Sequence, residues 1–306
     1  MREVIKTNNL VKKYGENIVL DNISIKVNQG EIYGLVGDNG AGKTTLFRIL
    51  SGQSNISDGS FELLGESSEK NIMKVRKRIG TIIENPSFYP KMTIEENLEY
   101  YRLQRGIPGK KNIDKILKEV GLLEVKKKKF NNISLGMKQR LGLALALLGE
   151  PELLILDEPI NGLDPSGIIE IRNLLLKLNR EKNITIIISS HILSELYNIA
   201  TCYGFLSKGK LVEELSLKQL NERCRSYLEI NVTNPKKFSV LLEEKLGYKN
   251  YKIMPDGLIH LFEKDPINEE ISRLAVENGI GLKSINEKSA NLENYYLSLI
   301  GGVKNA

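Results

Sequence analysis

The run Gly37-Asp38-Asn39-Gly40-Ala41-Gly42-Lys43-Thr44-Thr45 has the residue types and spacing to hold a polyphosphate. It fits the template G-x-x-x-x-G-K-[ST], with Gly37, Gly42, Lys43 and Thr44 at the fixed places. Several backbone N–H groups must converge on one anion in such a loop, a Cβ would block that approach, and a helix beginning there adds favourable partial charge. Lys43 is expected to bridge the β- and γ-phosphates of a nucleotide, and the Thr44 hydroxyl to ligate Mg²⁺. Ile32 to Val36 before the loop reads as a buried strand and Thr44 to Leu50 after it as a helix, which is the context the motif requires.

A second group of residues could act on what that loop holds. Leu153-Leu154-Ile155-Leu156-Asp157-Glu158-Pro159 is an apolar run too short for a helix and ended by two carboxylates, as a buried parallel strand would be with its carboxyl end at a ligand crevice. Carboxylates are costly there unless a cation meets them. Beside a phosphate loop, Asp157 reads as the Mg²⁺-holding acid and Glu158 as the group that orients or deprotonates the attacking water. Ile184 to Ser189 is another buried strand, and His191 beyond it falls where neighbouring strands would place Lys43 and Glu158. Ile79 to Glu84 is a strand ending at an acidic residue. Ser134 opens an apolar helix that runs to Leu148; taken alone it is an N-cap, and with Gly136 after it the start also suits a phosphate contact. Asp164 and Pro165 make a helix start as N-cap and first residue. Tyr14 either stacks on a base or packs in a meander, and its surroundings in sequence do not decide between the two.

Those groups need a scaffold, and the chain is long enough to supply one. Its 306 residues, 41% apolar and 27% charged, suit one large domain plus a smaller one, and exclude a disordered or fibrous chain. A net charge of +6 is mild, and Lys126-Lys127-Lys128-Lys129, without interleaved aromatics, reads as a solvated face. Cys202 and Cys224 lack metal-type spacing and read as free thiols in a reducing compartment, so a cytoplasmic protein is expected. No signal peptide and no run of roughly 18 uncharged apolar residues is visible, so a membrane task would need another polypeptide to cross the bilayer.

In chain order, Val4 to Val36 reads as an antiparallel meander. Thr93 and Glu96 form a capping box that opens a helical section, broken at Gly106 to Gly109 and resumed from Ile113 to Val120. From Tyr227 the order becomes β-α-β-β-α-β, a small ferredoxin-like α+β sandwich, with Leu292, Tyr295 and Leu299 marking a last helix. His260, inside one of its strands, reads as packing. The expected domains are 1–222, with a helical subdomain at about 86–150, and an accessory domain at 223–306.

Taken together, and in this order, the phosphate loop, Ser134-Leu135-Gly136-Met137-Lys138-Gln139-Arg140, Leu156-Asp157-Glu158-Pro159, Gly162-Leu163-Asp164 and His191 resemble the ATP-binding subunit of ABC transporters, over about Ile5 to Glu214. Ile83-Glu84-Asn85-Pro86-Ser87-Phe88-Tyr89, Ile188 to Glu195 and the ending Leu299-Ile300-Gly301-Gly302 look like the bacitracin-resistance and lantibiotic-immunity exporter ATPases. The resemblance implies an α/β phosphate-loop NTPase of ABC type, with a mixed sheet core, an antiparallel β subdomain and a helical subdomain. It implies a head-to-tail homodimer with two ATP molecules between phosphate loop and signature, and an integral membrane permease as partner, on the cytoplasmic face of a bacterial membrane. No nucleic acid is expected.

By the same resemblance ATP meets Tyr14, Gly37, Asn39, Gly40, Ala41, Gly42, Lys43, Thr44 and Thr45, with Ser134, Gly136 and Asp164 contributed at the dimer seam. Mg²⁺ meets Thr44, Asp157 and Glu84, and catalysis falls to Glu158, His191 and Lys43. Two departures from the general pattern, Glu84 in place of glutamine and Ile133-Ser134-Leu135-Gly136-Met137 in place of Leu-Ser-Gly-Gly-Gln, both recur in the bacitracin and lantibiotic group. The alternative function is a soluble ABC ATPase acting on a protein or nucleic-acid assembly.

Overall fold

The computed structural model describes residues 2–84, 87–109, 111–224, 226–263 and 266–288, with 292, 295–297 and 299. Met1–Leu217 and Lys218–Ala306 form two compact units. The sequence pattern had put the border after residue 222; the division falls inside the helix Leu217–Arg223.

The first unit is built on a six-stranded mixed sheet. Its strands are β4 (Ile32–Val36), β6 (Ile79–Ile82), β7 (Leu153–Asp157), β8 (Thr185–Ser190), β9 (Cys202–Ser207) and β10 (Lys210–Ser216), in the order β10-β9-β4-β8-β7-β6. The first five run parallel and β10 returns antiparallel at the edge. Every residue of β4, β7 and β8 is buried, which is why these segments read as unbroken apolar runs without alternation. Burial on both faces leaves only the strand ends for polar work.

A second, antiparallel sheet is centred on β1 (Glu3–Tyr14), which pairs with β2 (Asn17–Ile23), β3 (Lys26–Asn28) and β5 (Asp58–Leu63). The expected meander is therefore corrected: β3 continues along β1 where β2 leaves off instead of pairing with β2, because apolar alternation marks strands without saying which neighbours they take. Helix α1 (Lys43–Ser51) leaves β4 through the glycine loop and buries Leu46, Phe47, Ile49 and Leu50. Helix α2 is Glu69–Val75.

The helical section contains α3 (Ile94–Gln104), α4 (Lys111–Glu119) and α5 (Leu135–Leu147). Its entry is the capping box read from sequence. Thr93 Oγ1 accepts the Glu96 N–H at 3.2 Å and Glu96 Oε2 accepts the Thr93 N–H at 2.7 Å. After β7, α6 (Pro165–Lys182) and α7 (Leu193–Tyr197) complete the unit before α8 (Leu217–Arg223).

The second unit has the strand order β12-β13-β11-β14, all antiparallel, from β11 (Tyr227–Val232), β12 (Tyr251–Ile253), β13 (Ile259–Leu261) and β14 (Leu282–Lys288). Helices α9 (Pro235–Leu246) and α10 (Asn268–Glu277) supply Phe238, Leu242, Ile271 and Ala275 to the core over Leu228, Ile230 and Val232. This is the ferredoxin-like sandwich that the β-α-β-β-α-β order predicts. Leu292, Tyr295 and Leu299 are helical, and Ile300, Gly301 and Gly302 lie outside the described residues. His260 stacks on Tyr227 at 4.2 Å.

Candidate functional site

Strand register assembles the site. Val36 of β4 pairs with Ser190 of β8, and Ser189 of β8 pairs with Asp157 of β7, so the loop after β4, His191 after β8 and Glu158 after β7 emerge side by side. One further pairing, Ile82 with Leu156, brings the end of β6 and Glu84 alongside.

The phosphate loop needs its glycines for two different reasons. Gly42 has φ 109, and a Cβ there would meet Leu20 Cδ2 at 2.6 Å. Gly37 has an ordinary backbone, but its Cβ would meet the Leu206 carbonyl oxygen at 2.5 Å. Asp38, Asn39, Gly40, Gly42, Lys43, Thr44, Thr45, Val19 and Glu158 enclose a cavity of about 190 Å³. Ala41 is buried at the bend of the loop.

Lys43 is buried, and its Nζ donates to the carbonyl oxygens of Gly37 at 2.7 Å and Asp38 at 3.2 Å. It also stands 3.4 Å from Glu158 Oε1. The other carboxylate oxygen of Glu158 accepts from Asn161 Nδ2 at 3.1 Å and lies 3.2 Å from His191 Nδ1. Glu158 has φ 46, a left-handed backbone that turns the chain sharply off β7. Asp157 is buried, its Oδ2 accepting the Thr44 hydroxyl and its Oδ1 the Ser189 hydroxyl, each at 2.6 Å.

The remaining sequence-predicted residues have other partners. Glu84 has φ 59, is exposed, and pairs with the Arg48 guanidinium on α1. Tyr14 is exposed at the end of β1, with Lys12 Nζ 4.7 Å from its ring centroid, so its ring is not core packing. Ser134 caps α5 and accepts the Met137 N–H at 3.3 Å, while exposed. Gly136 follows in the first turn, and an ideal Cβ on it would lie 3.9 Å from Leu163. Asp164 caps the start of α6, and the Ser166 hydroxyl bonded to it holds its carboxyl below the usual carboxylate range.

A family description, ABC transporter, matches residues 20–161. The bacitracin transport ATP-binding protein BcrA of Bacillus licheniformis is 45% identical over 302 residues, covering 99% of both chains. The chain belongs to the ABC transporter ATP-binding proteins. The lantibiotic transport ATP-binding protein SrtF of Streptococcus pyogenes is 41% identical over 211 residues, 69% of this chain and 90% of that one. Among solved structures, a dimeric post-hydrolysis state of the ATP-binding cassette MJ0796 bound to ADP and Pi superposes with TM-score 0.63 at 25% identity, covering 70% of this chain and 98% of that one. The cbiO1 protein of Clostridium perfringens, part of an ABC transporter complex, gives 0.67 at 27% identity, covering 81% and 97%. This ABC protein is thus a nucleotide-binding ATPase subunit with the phosphate-loop fold expected of it. No helix among its described residues is long and apolar enough to cross a membrane.

Sequence reasoning missed the ABC protein's Ser189. Its hydroxyl donates to Asp157 and accepts the Glu158 N–H at 2.9 Å, so one side chain on β8 fixes the Asp157 carboxylate and the backbone of Glu158 just past β7. The only signal was a polar residue inside an apolar strand. Arg48 and Asn161 were also unforeseen partners, of Glu84 and Glu158.

The donor set fits a hard, partly hydrated cation. No three His, Cys, Asp or Glu side chains among the described residues could hold a metal, so a protein-only cage is absent there. What the site offers is one hydroxyl and one carboxylate, Thr44 and Asp157, beside a phosphate-sized cavity. That is the way Mg²⁺ is bound, through one or two protein oxygens with phosphates and waters completing the octahedron.

Proposed function

We propose that this ABC ATPase powers a separate membrane permease that exports an antimicrobial of the bacitracin or lantibiotic type, working as a head-to-tail homodimer on the cytoplasmic face of the membrane. The observation that carries this reading is the length of the likeness: identity with the bacitracin transport protein runs over 99% of both chains, so it includes the C-terminal unit, outside the residues 20–161 that mark the family at large. Nucleotide binding belongs to the first unit, and the C-terminal sandwich serves as an accessory domain.

In this reading the ATP phosphates enter the cavity above Gly37 to Thr45 and take over the ammonium of Lys43. Thr44 and Asp157, with Glu84, would hold Mg²⁺, which would supply neutralisation of the phosphate oxygens' charge. Glu158, released from Lys43, accepts a proton from the water that attacks the γ-phosphorus. The bond from that phosphorus to the bridging oxygen breaks and ADP leaves with the electron pair. His191 holds Glu158 through Nδ1 and presents its other ring nitrogen to the γ-phosphate. Ser134 and Gly136 act from the second copy, Asp164 connects the two sites, and Tyr14 stacks on the adenine.

The test is resistance. The chain, expressed with a candidate membrane permease, should raise the bacitracin or lantibiotic concentration a sensitive host survives, and a Glu158→Gln variant should not. Unchanged survival with both proteins present and ATP turnover intact would overturn the export reading.

A further inference from the structure

Glu84 and Glu158 share an unusual setting. Each stands just past the carboxyl end of a parallel strand, and each has a left-handed backbone, with φ 59 and 46. Each carboxylate is also paired with a cation on α1, Glu158 with Lys43 and Glu84 with Arg48. The two strands, β6 and β7, are hydrogen-bonded neighbours, so Glu84 stands beside the pair Asp157 and Glu158. On α1, Thr44 and Arg48 are four residues apart and share a face. Arg48 therefore lies about 6 Å along the axis, a little over one turn, from Thr44, whose hydroxyl is bonded to Asp157.

We propose that Arg48 is a positioning residue that holds the Glu84 carboxylate off the Thr44 and Asp157 oxygens and competes for it with the divalent cation of the bound nucleotide. This rests on the reading of Glu84 as a metal-facing residue. Three carboxylates lie at or just past the ends of the neighbouring strands β6 and β7, and each needs a counter-charge. Asp157 has two hydroxyl donors, Glu158 has Lys43, and Arg48 serves Glu84. The Arg48 and Glu84 side chains are 37% and 63% exposed, so their ion pair is solvent-screened and yields to a doubly charged cation held by phosphates. Loss of Arg48 frees Glu84 for the metal, and the Mg²⁺ concentration needed for nucleotide binding falls.

The experiment is binding of the non-hydrolysable ATP analogue AMP-PNP to the full chain as Mg²⁺ is raised, which reads occupancy without turnover. Arg48→Met should lower the Mg²⁺ midpoint by about two- to fivefold, the size an exposed ion pair permits. Glu84→Gln should raise it, and adding Arg48→Met to Glu84→Gln should change nothing further. Arg48→Gln, neutral and polar, carries the same expectation should methionine pack badly on α1. An unmoved midpoint in both Arg48 variants, with Glu84→Gln still raising it, overturns the competition and leaves Glu84 at the metal. An unmoved midpoint in Glu84→Gln overturns both.

Discussion

The Lys43 ammonium lies 3.4 Å from the Glu158 carboxylate, so the candidate base is neutralised by the lysine of the phosphate loop. Glu158→Gln removes one negative charge from the phosphate cavity and leaves Lys43 its two carbonyl partners. Turnover should fall at least about 10²–10³-fold, while ATP binding stays intact or tightens. Phosphate release and equilibrium nucleotide titration measure the two effects separately, and parental turnover in the variant would take Glu158 out of the reaction.

Ser189 is fully buried and touches both acids, so Ser189→Ala should have two consequences. Asp157 loses a donor and the Glu158 N–H an acceptor, a cost of about 1–3 kcal/mol for buried groups left unsatisfied. The thermal midpoint should drop, and turnover should fall more than nucleotide affinity, since Glu158 loses its anchor while the phosphate loop keeps its contacts. Calorimetry and steady-state kinetics on one preparation check both. A lower midpoint with unchanged turnover would make Ser189 purely structural.

The capping box gives a pH dependence whose sign can be worked out. Hydrogen bonds from the Thr93 backbone and hydroxyl hold the Glu96 carboxyl below its usual range. A depressed folded value contributes stability above the ordinary carboxylate pKa of about 4.3, lost as pH falls through the lower folded value. Glu96→Gln should therefore lower stability at neutral pH, flatten part of the acid limb and converge with the parent at low pH. Thr93→Ala should cost about 1 kcal/mol and, because the larger hold on Glu96 comes from the Thr93 backbone, keep most of the acid limb. Urea unfolding from neutral pH downward distinguishes the two, and an identical acid limb in parent and Glu96→Gln would contradict the assignment.

How much of this was legible in the sequence depended on chain distance. The phosphate loop, the apolar strands ending in Asp157 and before His191, the Thr93 and Glu96 box and the β-α-β-β-α-β tail are local patterns, and the fold follows them. The pairing of β3 was not legible, because β3 carries the register of β2 onward along β1, Leu10 facing Ile23 and Lys6 facing Lys26, instead of turning back on β2. Ser189 was hidden because its partners lie on another strand, 31 and 32 residues away. Glu84 was read as an acid at a strand end. Its engagement with Arg48, 36 residues back on α1, needed the register of β6 against β7 and the left-handed turn after it.

The glycines of the phosphate loop separate two kinds of constraint that sequence alone merges. Gly40 has φ 82 with nothing within 4 Å of an ideal Cβ, so alanine there meets backbone strain only, on the order of 1 kcal/mol. Gly42 has φ 109 and its Cβ would stand 2.6 Å from Leu20 Cδ2 and 3.0 Å from the Val19 carbonyl oxygen. Leu20 is fully buried and Val19 offers backbone, so neither yields cheaply, and the loop must move instead. Gly42→Ala should abolish measurable ATP binding, because the N–H groups that converge on the phosphates are carried by the displaced segment. Gly40→Ala should weaken binding by no more than about tenfold, the equivalent of roughly 1.4 kcal/mol. Titration of both variants with ATP, beside their thermal midpoints, decides the matter. Equal losses in the two would mean that the backbone conformation, and not the contact with Val19 and Leu20, sets the requirement at residue 42.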